Sequence, residues 1–120
     1  MKVIITGSRE LHMSTEQIVE VVRASGFDIT EVISGNAKGI DRCGETWAHM
    51  NKIPVKIFPA NWTTDGKAAG PIRNQLMGQY ADAAIIIWDG RSPGTRHMLA
   101  VMRRTGRPVF VRRAGLSLVS

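Results

Sequence analysis

No acidic residue follows Asp89: from Gly90 to Ser120 the charged side chains are Arg91, Arg96, Arg103, Arg104, Arg107, Arg112 and Arg113. Cysteine is almost missing. Cys43 stands alone, which excludes an internal disulfide and any cysteine-built metal cluster and suits a reducing compartment, so a cytoplasmic protein is expected. No apolar run is long enough to span a bilayer, and the N-terminus has the pattern of a strand, not of a signal peptide, so no membrane partner is expected. His12, His49 and His97 are scattered without metal-ligand spacing, there is no Gly-x-Ser-x-Gly elbow, and no carboxylate pair is placed for acid–base work. Neither a metal nor a cofactor is expected, and His97 reads as a surface helix residue. Aromatics are only 6% of the chain, few for a protein that stacks successive bases of a nucleic-acid strand.

What is present fits one globular unit. At 120 residues and 43% hydrophobic content there is room for a single domain with a real core, here residues 1–113 followed by a tail over 114–120. The net charge of +6 is concentrated in the last third, which favours anionic partners and speeds their arrival. For Arg103, Arg104, Arg112 and Arg113 a solvated face is the competing reading. Arg91 and Arg96 differ because they flank a glycine turn.

Short apolar runs alternate with helical periodicity. Val3-Ile4-Ile5 is a buried strand, and the helix after it opens near Ser14, which has capping-box spacing to Gln17, and stops at Gly26. A second strand covers Glu31 to Ser34. The next helix carries Cys43, Trp47 and Met50 at helical spacing until Pro54 forbids its continuation, and a third strand runs from Pro54 to Phe58. Asn61 to Gly70 reads as a polar connection, with Asp65-Gly66 a turn and Pro71 opening a helix that reaches Tyr80. Ala84 to Trp88 is continuously apolar, as a strand buried on both faces must be. A last helix starts near Thr95, faces inward with Met98, Leu99 and Met102, and ends at Gly106 before the strand Val109-Phe110-Val111. This alternation implies a parallel sheet with right-handed crossovers.

In such a sheet the strand-to-helix loops share one edge, where helix N-termini and bare N–H groups face a crevice. Four loops matter. Gly7-Ser8-Arg9 combines a close-approach glycine, a hydroxyl and a guanidinium that can fork onto a phosphate, though it also reads as an ordinary strand exit. Ser34-Gly35-Asn36-Ala37-Lys38-Gly39-Ile40-Asp41 is small and glycine-rich, able to expose several N–H donors, yet it is neither a Walker loop nor Gly-x-Gly-x-x-Gly. Asp41 is either a ribose ligand or a helix cap. Gly70-Pro71-Ile72-Arg73-Asn74 puts a cation at the start of a helix, where it does not complement the dipole, so a ligand role for Arg73 gains weight, while Asn74 has solvent as its alternative. Asp89-Gly90-Arg91-Ser92-Pro93-Gly94-Thr95 joins turn glycines to a helix start, with Ser92 or Thr95 as cap and Asp89 either orienting a ribose or merely ending the strand. Trp62 and Trp88 are candidates to stack on a base, Trp88 having core packing as its alternative.

In order, Gly7-Ser8-Arg9, Ser34 to Asp41, Gly70 to Asn74, Ala81-Asp82 and Gly94-Thr95 resemble the motifs of the SLOG superfamily, and most closely its YspA-like branch. The resemblance runs from Lys2 to Val111. It implies a Rossmann-like three-layer α/β fold with five parallel strands in the order 3-2-1-4-5, commonly paired as a homodimer. It also implies recognition of a nucleotide or ADP-ribose-like molecule. Gly35 to Gly39 and Gly94-Thr95 would give backbone donors, Ser8, Arg9 and Arg73 would contact phosphates, and Asp41 or Asp89 a ribose. Likeness to the DNA-binding DprA branch implies single-stranded DNA as the second partner class. Likeness to the LOG phosphoribohydrolases implies N-glycosidic hydrolysis, with Arg73, Asp89 and Asp41 as catalytic candidates. Met98 takes the place of the glutamate that follows Gly-Thr in those enzymes, and a thioether is no general acid or base, so a binding or sensor role is expected ahead of catalysis.

Overall fold

The computed structural model describes residues 1–114; the expected tail from Gly115 onward lies outside the described residues. Five strands, β1 (Lys2–Gly7), β2 (Glu31–Ser34), β3 (Val55–Ile57), β4 (Ala83–Trp88) and β5 (Val109–Arg113), form one sheet in the order β3-β2-β1-β4-β5. Every pairing is parallel, with Val3 opposite Val32 and Ile5 opposite Ile85. The β-branched run of β1 and the apolar run of β4 lie side by side at the centre, buried on both faces.

Helices α1 (Thr15–Ser25) and α2 (Ile40–Met50) cover one face, where Val3, Ile5, Ile18, Val32 and Trp47 join a core. On the other lie α4 (Ala69–Tyr80) and α5 (Pro93–Thr105), where Ile4, Ile33, Met77, Ile86 and Met98 form a second. The order reverses at β1, so its two neighbours send their helices to opposite faces, and a crevice opens beyond the carboxyl ends of β1 and β4.

Local signals set most boundaries. Ser14 Oγ accepts from Gln17 N and Gln17 Oε1 from Ser14 N, a reciprocal cap contributing about 1 kcal/mol, and Gly26 ends α1 at φ 73°. Asn61 to Gly70 is not the open polar connection that its composition suggests. It contains α3 (Trp62–Asp65), capped by Asn61 Oδ1 on Thr64 N, and a 3₁₀ turn over Gly66–Ala68. Consequently α4 begins at Ala69, and Pro71 sits inside its first turn, where a missing N–H costs no intrahelical bond. Likewise α5 starts at Pro93 in the first helical position, two residues before Thr95. Met50, expected on the inner face of α2, is 65% exposed. Trp88 is only half-buried, with the Arg96 and Arg113 guanidiniums 5.9 and 5.5 Å from its ring centroid and its indole N–H without a partner among the described residues.

The basic last third does not act as one surface. Arg107 turns inward and donates from Nη1 to the carbonyls of Gly78, Gln79 (3.2 Å) and Ala81 (2.6 Å), tying down the C-terminal end of α4. Arg112 pairs with Glu20 at 2.9 Å.

Candidate functional site

At the crevice is a cavity of 490 Å³ walled by the end of β1, the N-terminal part of α2 and the facing ends of α3, α4 and α5. Gly7, Arg9, Ala37, Asp41, Arg73, Asn74, Ser92, Gly94 and Thr95 line it, so four distant loops do meet at one rim. Where the cavity meets the sheet, a Cβ on Gly7 would stand 1.9 Å from the Ile87 carbonyl oxygen, so only glycine lets β1 and β4 close there.

Arg73 is the cation best fixed in this space. Its Nη1 donates to Gly35 O at 2.9 Å and its Nε to Asn74 Oδ1 at 3.1 Å. Both acceptors are neutral, and the ion pair found among the described residues, Arg112–Glu20, lies elsewhere. Burial draws the guanidinium's pKa down while the charge of Asp41 opposes that shift. Gly35 is needed for this seat, since a Cβ on it would come 2.5 Å from Arg73 Nη1. The remaining donors of the fork have no acceptor among the described residues.

Asp41 is buried in the cavity wall and bonded through both oxygens: Oδ1 accepts from Thr6 Oγ1 at 2.6 Å and Oδ2 from Ala37 N at 3.2 Å. Burial raises its pKa, against the Thr6 and Ala37 donors and the Arg73 charge. It is therefore more than a first-turn acid, because it ties the loop after β2 to β1.

Other expected ligand groups are used internally. Ser8 is fully buried, and its hydroxyl accepts from Asp89 N at 3.0 Å, so it does not face a phosphate. Ser34 donates to Glu45 Oε2 and accepts from Asn36 N, and with Ala37 N on Asp41 the loop after β2 turns two of its expected donors inward. Asn36, exposed at φ 58°, and Gly39, at φ 77°, lie off the cavity. Gly39 instead packs on the Ser8 and Arg9 carbonyls, which a Cβ would strike. Asp89 is outside the cavity too. Its Oδ1 accepts from Arg91 N at 2.7 Å and Ser92 N at 3.0 Å, and the Arg91 N–H is the main reason its pKa is lowered. Of its two readings, the structure shows it ending the strand and shaping the turn around Gly90. Ser92 holds the cap position of α5 but makes no capping bond, which leaves the N–H groups of Gly94 and Thr95 facing the cavity without a side-chain cap.

A profile of the YspA, cpYpsA-related SLOG family (YAcAr) matches residues 1–64. The chain belongs to this family. Within it the matched stretch holds the loops after β1 and β2, whereas Arg73 and Gly94 lie beyond. The SLOG chain is 32% identical over 118 residues to the Gene 61 protein of Mycobacterium phage D29, covering 91% of this chain and 94% of that protein. Its fold is similar to that of DNA processing protein A (DprA) from Streptococcus pneumoniae, with a TM-score of 0.76 at 18% identity, over 96% of this chain and 51% of that one. The SLOG chain thus spans about half the length of that structure.

Some wall residues of the SLOG cavity escaped the sequence reading. Thr6 holds Asp41, Met77 joins Met98 in the apolar floor, and His97 lines the wall with its Nδ1 3.1 Å from Asn74 Nδ2. His97 is not the surface residue its isolation suggests. The available signal was its position three residues after Gly94 in the helix that opens onto the rim. Trp62, 52% exposed, forms part of the mouth, as a residue able to stack on a base should. Among the described residues no group of His, Cys, Asp and Glu is arranged to hold a metal ion, and no helix is long and apolar enough to cross a membrane.

Proposed function

We propose that this protein binds a nucleotide or nucleotide-derived ligand, a nucleoside phosphate or an ADP-ribose-like molecule, in the cavity at the carboxyl edge of the sheet, and that it works as a sensor or binding module. One observation carries the reading: Arg73 is clamped by neutral acceptors and aimed into a cavity that also receives Arg9 and the N-terminus of α5. In this reading Arg73 and Arg9 take the phosphate, Gly94 and Thr95 add N–H donors, and Asp41 accepts from a sugar hydroxyl. SLOG membership supports a nucleotide- or DNA-binding module in general. The test is a thermal-shift screen of nucleoside mono- and diphosphates and ADP-ribose, in which a ligand at about 100 times its Kd adds roughly 2.7 kcal/mol. Stabilisation that disappears in Arg73→Ala supports the reading. Equal stabilisation of both proteins refutes the site.

A second reading is single-stranded DNA lying over the same edge. Arg91, Arg96 and Arg113, free of carboxylates within ion-pair distance among the described residues, favour it, as does the DprA-like fold. It predicts affinity that grows with oligonucleotide length and falls steeply with salt, where a mononucleotide site saturates with one small ligand. Hydrolysis of the LOG type is disfavoured by Met98, which is 1% exposed and belongs to the apolar core. Release of free base from a nucleoside monophosphate would reverse that judgement. A homodimer fits the exposed Ile72 and Leu76 on α4, and sedimentation equilibrium decides it.

A further inference from the structure

Asn74 is bonded on both sides to groups that allow its amide a single orientation. Arg73 Nε–H only donates, so the atom facing it at 3.1 Å is Oδ1; Gly94 O only accepts, so the atom 3.2 Å from it is Nδ2. The second hydrogen on Nδ2 is directed at His97 Nδ1, 3.1 Å away. A ring nitrogen that receives a hydrogen bond carries no proton. His97 is therefore neutral in this arrangement, with its proton on Nε2.

We propose that His97 is a positioning residue of the anion site: its unprotonated Nδ1 locks the Asn74 amide with Oδ1 on Arg73, and a proton on Nδ1 breaks that lock and loosens Arg73 in its seat. The proposal rests on the anion-binding reading above. A protonated Nδ1 confronts Nδ2–H with a second donor. Left as it is, the amide faces that clash; turned over, it accepts from Nδ1–H but sets Nδ2 against Arg73 Nε–H and Oδ1 against Gly94 O, so bonds are lost either way. Asn74 is only 7% exposed, which leaves little room for water to replace them. Turned over, the amide leaves Arg73 with Gly35 O alone among its two anchors.

The charged groups around His97 favour the locked state near neutrality. Burial, and then the charge of Arg104 on the same helix, hold its pKa below the ordinary imidazole value. Arg96 and Arg103 share α5, Arg73 approaches from α4, Arg9 from the loop after β1, and Asp41 from α2 is the one carboxylate on the cavity wall among the described residues.

Simple charge counting predicts the opposite response to acid. As pH falls, Asp41 loses a negative charge and His97 gains a positive one, and both changes should tighten an anion. Inorganic sulfate, which stays divalent across the histidine range of about pH 5 to 8, separates the two accounts. The full chain is titrated with sulfate by calorimetry across that range, and the Arg73 side-chain Nε–H is followed by ¹⁵N NMR. The comparison variant is His97→Asn, whose Oδ1 supplies an acceptor near the Nδ1 position and does not titrate. In the wild type, sulfate affinity is expected to fall about tenfold toward the acid limit, roughly 1.4 kcal/mol, with the Arg73 resonance moving in step with His97. In His97→Asn the resonance stays fixed and affinity does not fall with acid, whereas His97→Leu, without an acceptor, binds weakly at every pH. Wild type and His97→Asn tightening together, or an Arg73 resonance indifferent to His97, overturns the proposal. Failure to bind sulfate at any pH overturns the anion reading instead, and an Arg73 resonance that still follows His97 in that protein upholds the lock.

Discussion

At its C-terminal end α4 is held by Arg107, which reaches across from beyond α5 to the carbonyls of Gly78, Gln79 and Ala81; near its N-terminal end it carries Arg73, anchored by Gly35 O and Asn74 Oδ1. The first arginine lies with the helix dipole and satisfies carbonyls that the helix leaves open. The second lies against the dipole and is not neutralised by an ion pair. Arg107 uses one nitrogen, Nη1, on three carbonyls at a helix end. Arg73 is fixed through Nε and Nη1 on the cavity wall, where Nη2 has no acceptor among the described residues.

The contrast breaks most sharply by truncating each arginine. Arg73→Ala should weaken phosphate-ligand binding about 100-fold, roughly 2.7 kcal/mol, with little change in melting temperature. Arg107→Ala should do the reverse, costing about 2 kcal/mol of stability by denaturant titration while the folded fraction binds normally. Loss of both properties in either variant would dissolve the distinction. Next in size, Gly35→Ala puts a methyl group against the Arg73 guanidinium and should cost about tenfold in affinity, near 1.4 kcal/mol, with a smaller loss of stability because the end of a flexible side chain is what moves. Unchanged affinity would show that the Gly35 seat is dispensable.

The smallest effect is expected at Asp41, and its sign is set by linkage. Burial raises the folded-state pKa above the unfolded value, so the ionised form opposes folding and the protonated form does not. Asp41→Asn can keep both partners, its Oδ1 accepting from Ala37 N and its amide donating to the Thr6 hydroxyl. It should be more stable than the wild type near neutral pH. That advantage should shrink as pH falls through the raised Asp41 pKa and vanish below the unfolded value of 3.8. Asp89 runs the other way, its lowered pKa contributing stability that acid removes. In binding assays Asp41→Asn should tighten inorganic phosphate a few-fold while favouring the nucleoside phosphate less. A nucleotide-to-phosphate preference identical to that of the wild type would exclude Asp41 from the sugar.

Why the sequence predicted some of these roles and not others follows from how far the deciding contacts reach. The buried strands, the Ser14–Gln17 cap and the position of Arg73 at the rim were legible because each depends on residues within a few positions of one another. Whether a loop hydroxyl points out or in was not: Ser8 is claimed by the N–H of Asp89, which only strand adjacency brings to it. Asp41 and Asp89 looked equivalent on spacing, and they part because Asp41 sits against Thr6 on the central strand while Asp89 folds back onto its own loop. The place of His97 three residues after Gly94 could not show what it does, since its partner Asn74 belongs to the neighbouring helix. The α3 segment was missed because a single turn of helix carries too little periodicity to register.

The bare Cα of Gly7, pressed on the Ile87 carbonyl, leaves the sheet side of this crevice no latitude. A relative that accepts a bulkier or smaller molecule is therefore expected to keep a glycine at this position and to vary the helical side, at positions such as Trp62.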